Sequence, residues 1–323
     1  MPAAPDFSGF VVTLHHVRPR EPGAFDPNGI LSITPEFLDS FLARFRSAGW
    51  RFVPAAELVG SGTYPDGARR LAVTLDDGFR DNLQHAFPVF RRHSAPFTIY
   101  VCPGFSDRTS ELWWEALERI IAAADAVAVD GHGPAPRLSA RTPAEKQRAF
   151  QLWAKWLTTE ADETRQRVAI RALAAAYGLN LAELARELVM DWDEVRAVAA
   201  DPLCAIGAHT MTHPALARLP PDAALRQMRE SADRIEAEIG VRPRTIAFPY
   251  GYPAAASARE ARLAEEAGFA ASFTTQPGYI STRGSRHALP RVSVNGLYQE
   301  LRYLDALLTP GLWRLRNRIR SRR

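Results

Sequence analysis

The sequence predicts an α/β protein built on a mostly parallel sheet or barrel, with a long helical segment inserted into it. Three observations predict this. Short apolar runs alternate with helical periodicity at the beginning and at the end of the chain. Residues 106–202 break that rhythm, read almost wholly helical and are too long for an ordinary connection. Histidines and aspartates directly follow the apolar runs, and a parallel α/β fold gathers its strand ends on one face.

The elements follow in order. "GFVVTLHHV" begins as a buried strand, from about Phe10 to Leu14, and ends at His15 and His16. A Pro- and Gly-rich loop leads to a helix capped by Thr34 and opened by Pro35. Phe37, Leu38, Phe41, Leu42 and Phe45 form its inner face. The strand Leu71 to Leu75 runs into Asp76, Asp77 and Gly78. A short helix near Leu83 to Phe90 precedes a strand near Phe97 to Val101. In the inserted segment, Thr142, Pro143 and Glu145 form a capping box. Trp113, Trp114, Trp153 and Trp156 read as core at helical spacing, with one of a neighbouring pair free to reach a cleft. The segment as a whole reads as a wall or lid.

The strand–helix alternation then resumes. "LCAIGAHTMTHPAL" is a strand running into His209 and His213, and a helix from Asp222 to Ile239 stops at Gly240. "RTIAFPYG" is a strand ending in Pro249, Tyr250 and Gly251, followed by a helix over Ser257 to Ala267. "FAASFTT" and "LPRVSVN" are two further strands, and "ELRYLDALL" starts a last helix interrupted by Pro310 and Gly311. Residues 1–105 and 203–313 thus form two parts of one domain, 106–202 the insertion and 314–323 a basic tail.

With 323 residues and 46% hydrophobic content the chain can bury a sizeable core. Its net charge of +4 comes from the tail "RLRNRIRSRR", which holds six arginines. Without those six, 34 basic residues face 36 acidic ones, so the body carries no basic surface for nucleic acid. The tail is a candidate for weak contact with an anionic membrane. Cys102 and Cys204 lie in or beside apolar runs and read as free thiols. Neither a signal peptide nor a transmembrane span is visible, which points to the cytoplasm. Oligomeric state is not legible.

His15, Asp76, Asp77, His209 and Tyr250 all follow strand ends and converge on one predicted rim. Two imidazoles at i and i+4 reach one ion if their segment is helical or turned, and a carboxylate completes a two-His, one-carboxylate set. Zn²⁺ accepts that set, as do Co²⁺, Mn²⁺ and Fe²⁺. The metal then explains one aspartate and leaves the other as a base held ionised by the cation. The division this suggests is Asp77, His209 and His213 for the metal and Asp76 for the proton of water.

These residues carry a resemblance. "TLDDG", "HTMTH" and "FPYG" resemble, in order, three motifs of the NodB-type polysaccharide deacetylases, carbohydrate esterase family 4. The resemblance covers residues 10–105 and 203–295. It implies a distorted (β/α) barrel, here of about seven strands, and metal-dependent hydrolysis of N-acetyl, occasionally O-acetyl, groups on an amino-sugar-containing poly- or oligosaccharide or its precursor. Asp76 resembles the family's base, and Asp77, His209 and His213 its metal ligands. The N–H of Tyr250 resembles its oxyanion donor. Ala247 stands where the family often has an arginine, and Arg291 is the substitute expected to orient Asp76. The family's late histidine has no clear counterpart. "TLHHV" resembles the Tyr-His opening of a subset of relatives, which makes His15 the expected general acid, acting as imidazolium near neutral pH, with His287 as the alternative.

Two other functions fit the sequence. One is hydrolysis of a non-peptide C–N bond in a small molecule on the same scaffold. The other is carbohydrate binding without catalysis, against which the full acid and metal set argues.

Overall fold

The strands that lead to His15 and Asp76 are buried on both faces. Apolar runs such as "FVVTL" and "LAVTL" therefore need no polar alternation. A computed structural model describes residues 7–20, 23–60, 68–129, 131–135, 137–282, 284–307 and 309. Nine strands form one mixed sheet: β1 (Phe7–Leu14), β2 (Trp50–Phe52), β3 (Arg69–Leu75), β4 (Phe97–Val101), β5 (Cys204–Ala208), β6 (Thr245–Ala247), β7 (Ala271–Phe273), β8 (Ile280–Ser281) and β9 (Val292–Ser293). The order is β7-β6-β5-β4-β3-β1-β8, with β2 beside β3 and β9 beside β1. Every pairing is parallel except β1 with β8. Leu289 bridges Phe273 of β7, and Val292 and Val294 reach β1, so this segment ties the two outer parallel strands together into a distorted barrel.

Alternation along the strands sorts the core into two layers. Val11, Ala72, Tyr100, Ala247 and Phe273 belong to one cluster. Their neighbours Phe10, Val12, Leu71, Val73, Phe97 and Ile99 belong to another, which includes the surrounding helices. Helix α1 (Pro35–Ser47) buries the five side chains its spacing predicts, each worth about 1.5–3 kcal/mol, and the Thr34 hydroxyl caps it. Helices α6 (Pro221–Ile239), stopped by Gly240 at φ 72°, and α7 (Ala258–Glu266) cover other strands.

Residues between β4 and β5 have their own core, which includes Trp113, Trp114, Phe150, Trp153, Trp156, Ile170 and Val189. Four of its helices are α2 (Trp113–Ala123), α3 (Pro143–Lys155), α4 (Glu163–Ala176) and α5 (Leu181–Leu188). The chain is not wholly helical here, since Ala126–Val127 pairs antiparallel with Leu138–Ser139. Val189 bridges Phe79, and Met190 N–H donates to Gly78 O at 3.0 Å, so the end of this segment is stitched to the loop after β3. Among the described residues no single helix is long and apolar enough to cross a membrane; α4 and α5 pass only as a pair bent by 100°. Cys102 is buried and Cys204 half-buried, and both are free. The tail 314–323 and the break at Pro310 and Gly311 lie outside the described residues.

Candidate active site

Strand register brings the rim residues together. Leu14 pairs with Leu75, Val101 with Ala208, and Ala208 with Ile246, so the residues that follow emerge at one end of the sheet. There they line a cavity of about 380 Å³ with His15, Asp76, Asp77, His209, His213 and Tyr250 on its wall. Asp76 N–H donates to Leu14 O at 2.9 Å, and His209 N–H to Val101 O at 2.9 Å, which fixes where each loop leaves its strand. The "HTMTH" segment is a bend rather than a helix. It is pinned by the Thr210 hydroxyl to His213 N–H at 3.1 Å and by Gln227 of α6 to Met211 and Thr212.

The backbone turns sharply at the functional residues. Asp77, Thr210, His213 and Tyr250 all have left-handed φ, from 60° to 74°. This is four of seven such non-glycine residues among those described, so the strain is concentrated here. Gly78 (φ 73°) and Gly251 (φ 63°) continue two of these turns. A Cβ at Gly251 would also lie 2.4 Å from the Thr275 nitrogen, so two constraints require glycine there.

Asp77 Oδ1 lies 3.5 Å from His209 Nε2 and 3.3 Å from His213 Nε2. All three residues are buried, and Asp77 Oδ1 has no hydrogen-bond partner among the described residues. The His209 Nδ1–Ala247 O contact of 2.8 Å leaves Nε2 as the free donor atom of that ring. Burial, then the charge of Asp76, pushes the Asp77 carboxyl well above its usual range. Burial pushes both imidazoles down, which favours their neutral form. An orphaned carboxylate oxygen facing two neutral imidazole nitrogens fits a divalent cation, whose charge would restore the ionised carboxylate.

Asp76 is built differently. Burial raises its pKa, but Arg291, by charge and hydrogen bond, together with His209 and His15, outweighs burial and holds the carboxyl well below the carboxylate range. Arg291 Nη1 and Nη2 each donate to an Asp76 oxygen at 2.7 Å, a bidentate pair with no solvent exposure at the arginine. Thr274 O and the Thr74 hydroxyl take further guanidinium hydrogens at 3.0 and 3.1 Å.

The two adjacent histidines diverge. His15 lines the cavity; burial, opposed by Asp76 and assisted by Arg291 and His209, pushes its imidazole down to about 4. The ring is therefore neutral at neutral pH, unlike the imidazolium expected from sequence. His16 Nδ1 meets Asp81 Oδ2 at 2.5 Å, its Nε2 lies 3.7 Å from Glu115, and its ring stacks on Phe79 at 3.6 Å. Burial opposes its charge, yet Asp81 and Glu115 push His16 up to about 9. His287 is not on the cavity wall, and its charged neighbours are Glu265 and Arg286.

The inserted segment supplies a wall of the cavity, and with it two tryptophans that sequence reading placed mainly in the core. Trp113, Trp114 and Phe150 line the cavity together with Ile30 and Leu31 of the early loop and Tyr252. Trp113 Nε1 donates to the Tyr250 hydroxyl at 2.8 Å, and Trp114 packs on His213 with ring centroids 5.0 Å apart. Adjacent helical residues point about 100° apart, so neighbouring tryptophans already signal that both need not face one core. Tyr250 O accepts from the Thr275 hydroxyl at 2.7 Å, whereas its N–H has no protein acceptor among the described residues.

The family model described as polysaccharide deacetylase matches residues 63–271. No curated protein matches the chain. Among solved structures it is similar to the Streptococcus pyogenes deacetylase PplD in complex with acetate, with a TM-score of 0.60, 14% identity, and coverage of 94% of this chain and 98% of that one. It is also similar to IcaB from Ammonifex degensii (TM-score 0.56, 18% identity, coverage 90% and 92%). A de-N-acetylase from Aggregatibacter actinomycetemcomitans gives TM-score 0.56, 14% identity and coverage of 93% and 99%. At these identities the likeness is one of fold.

Proposed function

This chain belongs to the polysaccharide deacetylase family, and we propose that it removes N-acetyl groups from an amino-sugar-containing poly- or oligosaccharide, or its precursor, with one divalent metal ion. Polysaccharide deacetylation follows from the family. The assignment of metal, base and acid to residues rests on one observation: an orphaned Asp77 oxygen and two imidazole nitrogens converge beside a carboxylate that Arg291 keeps ionised. The names of the similar structures, two deacetylases and IcaB, are in keeping with it.

A divalent cation held by Asp77, His209 and His213, Zn²⁺ first and Co²⁺, Mn²⁺ or Fe²⁺ after it, supplies Lewis acidity towards the acetyl carbonyl and water. Asp76, ionised and aimed by Arg291, accepts the proton of the attacking water. The free N–H of Tyr250 donates to the acetyl oxygen as negative charge develops on it. His15, neutral at rest, gains basicity as that charge develops, takes up a proton from solvent and hands it to the departing amine, while Asp76 returns the water's proton to solvent. Trp113 and Trp114 exclude water from one side and offer flat apolar faces to a sugar ring.

The experiment pairs elemental analysis with turnover of an N-acetylglucosamine oligosaccharide. His209→Ala and His213→Ala should lose metal and activity together. Asp76→Asn should keep the metal and lose roughly 10²- to 10⁴-fold in kcat, the usual contribution of a general base. Full metal occupancy in both histidine variants, or near-wild-type turnover of Asp76→Asn, would sink these assignments.

A further inference from the structure

We propose that the cavity is a cup with a closed rim, so that it takes a lone or terminal N-acetylated amino sugar and excludes the internal residues of a chain. The rim closes through bonds between successive walls. Asn28 Nδ2 donates to Trp114 O at 2.9 Å and Asn28 N–H to Glu118 Oε2 at 3.3 Å, fastening the early loop to α2. Phe25 packs on Phe150 of α3, itself on the cavity wall, with ring centroids 6.4 Å apart, so the loop is also tied to a second helix of the insertion. Trp113 Nε1 carries the ring from α2 to the Tyr250 hydroxyl, and the Thr275 hydroxyl joins it to Tyr250 O. Arg291 N–H donates to Gln276 O at 3.1 Å, and Gly296 N–H to Ile30 O at 3.0 Å, which returns to the early loop. This last joint is an approach of backbone to backbone: a Cβ on Gly296 would collide with Gly29 O.

An open groove lets a chain enter at one side and leave at the other, and a ring does not. Asp76, Asp77 and His209 are buried in the wall, so an acetyl group reaches them only by passing inside the ring. An internal sugar must bring both of its neighbours in with it, whereas a terminal sugar trails a single neighbour outward. The volume of about 380 Å³ is near the lower end of the roughly 300–1,000 Å³ that small-molecule sites span, which is little for a strand of sugars. The wall also offers little to successive sugar hydroxyls. Asn28 Nδ2 and the Thr275 hydroxyl are committed to the ring's own bonds, and Leu31, Phe150 and Tyr252 present aliphatic or aromatic faces. That the sugar enters acetyl group first rests on the deacetylase reading, whereas the shape of the opening does not.

The test incubates the wild-type chain with the β-linked tetramer of N-acetylglucosamine and places the lost acetyl groups by mass-spectrometric sequencing. Loss from one terminal residue alone is expected, and loss from internal residues would overturn the proposal. Phe25→Ala/Asn28→Ala opens the joint between the early loop and the insertion, so internal loss should appear in it. A folded variant that still spares internal residues would deny the ring its role; if the variant loses its thermal transition, the wild-type pattern and the binding series decide. Binding is read separately, by tryptophan fluorescence of Asp76→Asn with the N-acetylglucosamine dimer, tetramer and hexamer. A cup gives the same Kd within about threefold across the series, whereas each further subsite of a groove adds affinity, so a climb of about tenfold or more would overturn the proposal. So would the absence of binding at every length. Length-independent binding without acetate release from any of these sugars would refute the deacetylase reading and leave the cup standing.

Discussion

His16 should make stability fall as pH rises through a window set by its own titration. Its imidazole sits fully buried between Asp81 and Glu115 and is pushed up from 6.5 to about 9. A histidine raised on folding contributes its full stabilisation below the unfolded value, and loses it as pH climbs through the folded value. The contribution is therefore complete below about pH 6.5 and gone above about pH 9. At 1.36 kcal/mol per pH unit, the shift is worth about 3 kcal/mol, a large fraction of a typical domain stability. Glu118, pushed up to about 7 by burial and by Glu115 and Asp26, also loses stabilisation with rising pH, but over a lower range. His16→Gln separates the two. The stability difference between wild type and His16→Gln, from chemical denaturation at each pH, should shrink by about 3 kcal/mol between pH 6.5 and 9.5. A difference that stays flat would refute the buried ion pair. Direct observation of the His16 ring by NMR in the wild type, titrating below pH 7, would refute it independently.

Arg291→Met should cost about 3–5 kcal/mol, because it leaves Asp76 buried and unpaired. It should also raise the acid limb of kcat/KM, and an unmoved limb would deny Arg291 its positioning role. His15→Ala should lower kcat on an acetamide by roughly 10² or more with metal content unchanged. The loss should shrink on an activated ester, whose leaving group needs no proton; equal losses on both substrates would show that His15 does something other than protonate the amine.

The rim was legible because strand ends in a parallel fold share one face, and short apolar runs announce where strands end. Asp76, Asp77, His209 and Tyr250 could thus be gathered from distant segments without coordinates. Arg291 was reached only through a family pattern, since nothing in "LPRVSV" itself reveals that its side chain crosses to Asp76. Which side chains of the wall face the cavity was less legible. Trp113 and Trp114 follow core spacing along their helix; their adjacency leaves one free to reach a cleft, but only tertiary packing brings both to the cavity. The partners of His16 were illegible, because Asp81 and Glu115 are far away in sequence and unremarkable on helical or turn surfaces. The neutral state of His15 was missed for a related reason: solvent exclusion is a property of the assembled cavity. The short Ala126–Val127 and Leu138–Ser139 ladder lacks the length that makes a strand visible in sequence.

The left-handed turns at Asp77, Thr210, His213 and Tyr250 set this protein's fold against its chemistry. Each non-glycine residue held there costs about 1 kcal/mol or more, and Thr210, being β-branched, more than the others. Glycine or asparagine would relieve that strain without moving the chain. Laboratory evolution of this gene for thermal resistance, with no demand on turnover, should therefore drift towards glycine and asparagine at these four positions and shed the ligand set as it does so. Retention of aspartate and histidine there, in a lineage that remains heat-labile, would be the mark of selection acting on catalysis.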